Sequence, residues 1–118
     1  MKIGIVCGSF HREDVERMLK WAEDEASKLK LTISDVVWVP GAMEVPLALN
    51  RLLKINDIDG AACLGIIENG QTKHGLAMGQ AVIKSIIDLQ LTWNKSVGHR
   101  CVGVWSVVWG AVGGCAER

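Results

Sequence analysis

Residues 60–74 read Gly60-Ala61-Ala62-Cys63-Leu64-Gly65-Ile66-Ile67-Glu68-Asn69-Gly70-Gln71-Thr72-Lys73-His74. From Gly60 to Ile67 the run is almost continuously apolar, as a central strand covered on both faces should be. A polar loop follows from Glu68 to His74, and apolar positions then return in a third helix over roughly Leu76 to Thr92. A buried strand, a glycine-bearing loop and a helix in that order are the parts of a β-α-β unit.

The same alternation runs upstream. Lys2 to Cys7 is a short β-branched apolar run ended by Gly8-Ser9, a strand and a turn. Val15, Met18, Leu19, Ala22, Ala26 and Leu29 then recur at steps of three and four, which marks the buried stripe of a helix. Glu13 and Asp14 at its start and Lys28 and Lys30 near its end match the helix dipole. Glu16 with Lys20, and Asp24 with Lys28, are spaced as ion pairs on its wet face. A second strand is expected over Asp35 to Val39, stopped by Pro40-Gly41. The second helix is expected to start near Ala42, to tolerate Pro46 in its first turn and to bury Leu49, Leu52 and Leu53. A fourth strand is expected near Arg100 to Val104. The order predicts an α/β fold, a four-stranded parallel sheet with right-handed crossovers and helices on both faces.

The 118 residues suffice for one core and one domain, 1–118. Acidic and basic residues balance at 13 each, so no long-range field argues for nucleic acid or an anionic membrane. No apolar run reaches membrane-spanning length, and the first residues lack a signal-peptide layout. Cys7, Cys63, Cys101 and Cys115 form no C-x-x-C pair, so free thiols in a reducing cytoplasm are expected rather than a disulfide scaffold or a metal site. Residues 97–118 differ from the rest: they hold five glycines, six valines and two tryptophans with no helical stripe. The helix that normally covers the last strand of such a sheet is expected to be missing or altered here.

Ligands of parallel sheets bind beyond the carboxyl ends of the strands. Three loops meet there: Gly8 to His11, Pro40 to Glu44, and Glu68 to His74. In the third, Gly70 lets backbone amides approach an anion and Thr72 adds a hydroxyl at a helix start, where the dipole favours phosphate. His74 is the side chain there suited to proton transfer near neutral pH. A plain polar turn explains the same residues. Glu44 in a first helical turn complements a dipole, or else accepts hydrogen bonds from ligand hydroxyls. Phe10 is the chain's single phenylalanine: a staple onto the next helix, or a platform for a planar heterocycle.

Taken together, the segments Gly4-Ile5-Val6 leading to Ser9-Phe10-His11, Val39-Pro40-Gly41-Ala42-Met43-Glu44-Val45-Pro46, and Leu64 to Ile67 leading to Gly70-Gln71-Thr72-Lys73-His74 resemble the 6,7-dimethyl-8-ribityllumazine synthase family over roughly residues 3–97. The resemblance implies a flavodoxin-like three-layer α-β-α sandwich. It implies condensation of 5-amino-6-ribitylaminouracil with 3,4-dihydroxy-2-butanone 4-phosphate, releasing phosphate and water, with no metal or organic cofactor. It implies that Phe10 stacks on the pyrimidine, that Ala42, Met43 and Glu44 line the ribityl chain, and that Ile66, Ile67 and Glu68 border the pyrimidine. It further implies that Gly70, Gln71 and Thr72 hold phosphate, that His74 transfers protons, and that an arginine, here Arg118, pairs with the phosphate. Homopentamers, and in some members capsids of sixty subunits, are implied as well. Gln71 stands where the family often has an acid and His11 where it often has asparagine. An archaeal-type riboflavin synthase, or a non-catalytic flavin- or lumazine-binding or shell-forming relative, remains an alternative.

Overall fold

In the computed structural model the described residues are 1–66 and 74–101, with the side chains of 74–76 and 99–101 outside that description. The elements follow the expected order: β1 Lys2–Gly8, α1 Arg12–Lys28, β2 Thr32–Val39, a 3-10 turn Ala42–Glu44, α2 Val45–Leu53, β3 Gly60–Gly65, α3 His74–Trp93 and β4 Ser96–Cys101. All neighbouring strands are parallel, in the spatial order β2-β1-β3-β4. The sheet is therefore the expected one, and its layering is that of a flavodoxin-like α/β sandwich.

Side-chain alternation along β1 assigns the two faces. Ile5 and Cys7 point to one side, where they pack with Leu64 and with Val15 and Met18 of α1. Val6 points to the other, where α2 contributes Val45, Ala48, Leu49, Leu52 and Leu53 and α3 contributes Val82 and Ile86. One face thus carries α1 and the opposite face α2 and α3, as right-handed crossovers demand when the chain first moves from β1 to β2 and then doubles back to β3. Leu49 and Leu53 are fully buried, each worth about 1.5–3 kcal/mol of transfer free energy. Gly4 lies under α2: a Cβ there would stand 2.8 Å from Leu52 Cδ1, so the missing side chain sets how closely the helix approaches.

Several expectations are corrected in detail. Leu29 is not part of the α1 stripe; it follows the helix as its C-cap and is 67% exposed. The wet face of α1 pairs differently too: Glu16 faces Arg12 at 3.9 Å, Lys28 faces Glu25 at 3.5 Å, and Arg17 meets Asp14. These pairs span three or four residues along one turn, and a long side chain picks whichever neighbour is nearer. β2 starts three residues earlier than its apolar run, because Thr32 and Ile33 already pair with Lys2 and Ile3. Backbone pairing, indifferent to side-chain polarity, carries the strand into polar residues.

The second helix begins at Val45 rather than near Ala42. Pro46 sits in its first turn, and the preceding residues make only the tighter 3-10 turn. α3 opens two residues early, at His74. β4 begins at Ser96, four residues before the expected start, and pairs in register from Gly60↔Ser96 to Gly65↔Cys101. Its alternation was hidden by Gly98 and the polar His99 and Arg100. The stretch 97–118 therefore starts as a sheet strand; the altered final helix expected for it lies outside the described residues.

The α3–β4 turn is lashed to α2. Lys95 Nζ donates to the carbonyl of Leu53, the last residue of α2, at 2.7 Å and to that of Ile55, which also accepts from the Ile58 amide, at 2.9 Å. Trp93 Nε1 donates to Asn50 Oδ1 at 2.8 Å. At the foot of β3, a Cβ on Gly60 would stand 2.9 Å from the carbonyl oxygen of Ser96, a ladder partner that cannot swing aside. Gly60→Ala is expected to part the β3–β4 pair and cost about 1–3 kcal/mol. A urea-denaturation midpoint equal to that of the unaltered chain would refute it.

Candidate functional site

The strand order places the ligand-binding crest. The chain leaves β1 toward β2 on one side and enters β3 on the other, so the loops after β1 and β3 diverge and leave a crevice between them. Cys7 pairs with Leu64, which sets Gly8 opposite Gly65, and a Cβ on Gly8 would come within 3.9 Å of Gly65 Cα. Two strands thus end side by side on glycine, and the floor of the crevice is bare backbone.

Around that floor stand Phe10, Gly41, Ala42, Val45 and Ile66, enclosing a recess of about 10 Å3, a space for a single water. Phe10 is 51% exposed and lines this recess, so part of its ring is open at the crest. The loop that carries it is tied to the end of β2 by Ser9, whose amide donates to Val39 O at 2.8 Å and whose hydroxyl donates to Pro40 O at 3.3 Å. Beyond the loop, the Arg12 guanidinium lies 4.1 Å above the Trp38 ring, a contact worth about 0.5–1 kcal/mol at an exposed site.

Glu44 closes the 3-10 turn and is exposed; its amide donates to Gly41 O at 3.2 Å. Its side chain makes no capping hydrogen bond to α2. Instead Oε1 folds back beside Gly41, 3.6 Å from where a Cβ on that residue would stand, so the carboxylate lies next to the recess. Gly41 itself is extended, at φ −164°. Met43, 73% exposed, turns the other way. It lines an apolar groove of about 350 Å3 between α2 and α3 with Pro46, Ala77, Met78, Ala81, Val82 and Ser85.

Of the residues singled out from the sequence, Phe10, Ala42 and Ile66 share one recess, Glu44 lies beside it, and Met43 borders the adjoining groove. His74 is the first residue of α3. Ile67, Glu68, Gly70, Gln71, Thr72 and Arg118 lie outside the described residues. The sequence reading passed over Val45 as a wall and the pair Gly8 and Gly65 as a floor. Gly8 ends an apolar run and Gly65 lies within one, and neither gains meaning until β1 and β3 are known to be neighbours.

Cys7 is buried beneath the crest, and Cys63 is a second buried thiol on the opposite face of the sheet. Burial pushes the Cys7 thiol up to about 11, with Glu23 adding to the rise and Arg12 opposing it.

An all-parallel α/β sandwich with its crevice at the reversal of strand order defines a class of small-ligand proteins that bind at the carboxyl edge of the sheet. Within that class the chain matches the model of the 6,7-dimethyl-8-ribityllumazine synthase family over residues 1–106. Its relatives include the 6,7-dimethyl-8-ribityllumazine synthases of Staphylothermus marinus, 37% identical over 86% of this chain and 68% of that one, and of Metallosphaera sedula, 36% identical over 87% and 68%. That of Methanopyrus kandleri is 37% identical over 82% and 69%. The chain belongs to the 6,7-dimethyl-8-ribityllumazine synthase family, transferases of riboflavin biosynthesis.

Because the folded state holds the Cys7 proton more tightly, this thiol contributes stability below its ordinary value near 9 that is lost as pH rises toward about 11. Native protein treated with iodoacetamide at pH 8 is expected to leave Cys7 unlabelled in a peptide map, and urea-unfolded protein to label it fully. Labelling of Cys7 at equal rates in both states would contradict this burial.

Proposed function

We propose that this chain is itself a 6,7-dimethyl-8-ribityllumazine synthase. In this reading it condenses 5-amino-6-ribitylaminouracil with 3,4-dihydroxy-2-butanone 4-phosphate and releases phosphate and water. The observation that carries the proposal is the convergence of Phe10, Ala42 and Ile66, from three distant segments, on one recess at the strand-order reversal, with the Glu44 carboxylate beside it.

The pyrimidine ring is planar and polarisable, and the half-exposed Phe10 ring offers it a stacking face. The recess itself holds about one water, so the substrate lies along the open crest above it. Ile66, Ile67 and Glu68 border the pyrimidine. The ribityl chain carries hydroxyls, and Glu44, with Ala42 and Met43, forms its wall. Gly70, Gln71 and Thr72 hold the phosphate with backbone amides and a hydroxyl just before α3, whose N-terminal dipole favours the dianion. Arg118 pairs with the same phosphate.

Joining an amine to a ketone and expelling water requires protons to move onto and off nitrogen and oxygen. His74, opening α3 next to the phosphate loop in the chain, supplies that transfer near neutral pH. The unit is a single domain over 1–118 in the cytoplasm. It assembles as homopentamers, and larger sixty-subunit shells are compatible with the same reading. Support for assembly comes from Leu47, Ile87 and Leu91, apolar side chains of α2 and α3 that are 54%, 44% and 78% exposed. A neighbouring copy would cover them.

Mixing the purified chain with both substrates is expected to produce the absorbance of 6,7-dimethyl-8-ribityllumazine. His74→Ala is expected to lower kcat by ~10²-fold with substrate affinity retained. No product at high enzyme concentration, with the lumazine still bound, would instead mark a binding module. An unchanged kcat in His74→Ala would remove this histidine from the chemistry.

A further inference from the structure

We propose that His11 is a positioning residue for the crest: it holds the Phe10 ring in the orientation that a planar ligand stacks on. The inference rests on the reading of Phe10 as the ring platform and adds what fixes that platform.

His11 is one of three non-glycine residues with positive φ among the described residues, at φ 56° and ψ 52°, the left-handed region. Such a conformation persists where the surroundings over-determine it, and histidine is among the side chains that tolerate it. Here the surroundings are plain. On one side Ser9 is hydrogen-bonded to Val39 and Pro40; on the other Arg12 lies over Trp38. Between these two anchors only Phe10 and His11 remain to turn the chain from β1 into α1. The His11 carbonyl accepts from the amides of Asp14 at 3.0 Å and Val15 at 3.1 Å, which seats this left-handed residue as the N-cap.

The imidazole itself does not cap α1. It stands edge-on to Phe10 instead, ring centroids 4.4 Å apart and planes at 71°, a favourable arrangement for an aromatic pair. Phe10 is half-exposed, so the core alone does not hold its ring, and the His11 ring gives it a further contact. His11 is not among the residues that line the recess, and in this proposal it acts through Phe10. A ring held in place loses less freedom when a ligand stacks on it, and this is affinity gained by preorganisation.

The test is a double-mutant cycle on Phe10→Ala and His11→Asn. Asparagine keeps the left-handed backbone and removes the ring. The readouts are KM for 5-amino-6-ribitylaminouracil, kcat, and dissociation of 6,7-dimethyl-8-ribityllumazine followed by its fluorescence. His11→Asn is expected to raise KM and the dissociation constant roughly two- to tenfold, with kcat and the urea midpoint unchanged. In the Phe10→Ala background it is expected to add nothing, since its effect passes through that ring. A wild-type KM in His11→Asn while Phe10→Ala raises it, or two independent multiplying effects, would overturn the inference. If Phe10→Ala is silent as well, the platform reading fails and the inference falls with it. Should His11→Asn fold poorly, His11→Gly, which also accepts positive φ, is read by the same criteria.

Discussion

β1 is hydrogen-bonded in parallel along both edges, to β2 on one side and β3 on the other. A parallel neighbour cannot be reached by a tight turn, so one crossover leads from β1 to β2, and a second, in the opposite direction along the sheet, leads from β2 back past β1 to β3. Handedness then puts α1 on one face and α2 with α3 on the other. Both faces of β1 are buried in consequence, and Ile5, Val6 and Cys7 are wholly removed from solvent. The same reversal of direction opens the crest between the ends of β1 and β3, so the packing constraint and the location of the site have one origin.

Small residues convert that topology into usable space. Gly4 lets α2 settle on the sheet, and Gly60 lets β4 close on β3. At the opposite end Gly8 and Gly65 leave the crest without side chains. Larger side chains at the first two positions would meet Leu52 and the Ser96 carbonyl. At the last two they would occupy the floor of the crevice. The loop bearing Phe10 is held by neighbours from both sides, through Ser9 and through Arg12, so an exposed aromatic is presented on a fixed backbone.

Much of the fold was legible in the chain. Apolar runs marked β1, β2 and β3, the first two closed by glycine or proline, and the steps of Val15, Met18, Ala22 and Ala26 marked α1, because burial on one face leaves a periodic trace. Boundaries were less legible where backbone pairing outweighed side-chain pattern, as at Thr32 and Ser96, or where proline reshaped a helix start, as before Val45. Of the site, Phe10, Ala42, Glu44 and Ile66 were found from their loops and from the family resemblance, while the ring pair of Phe10 and His11 was not. Sequence neighbours do not reveal whether their rings touch; that depended on the left-handed turn at His11.

By itself the sequence determined the alternation of strands and helices, the parallel sheet, and the family, since these depend on local pattern and on short motifs along the chain. Tertiary structure alone decided that β1 lies between β2 and β3, that Gly8 faces Gly65, and that Phe10 shares a recess with Ala42 and Ile66. Those are relations between residues tens of positions apart. Nothing in a residue's neighbours along the chain encodes them; they exist only once the hydrogen-bonded ladders fix which strand ends stand together.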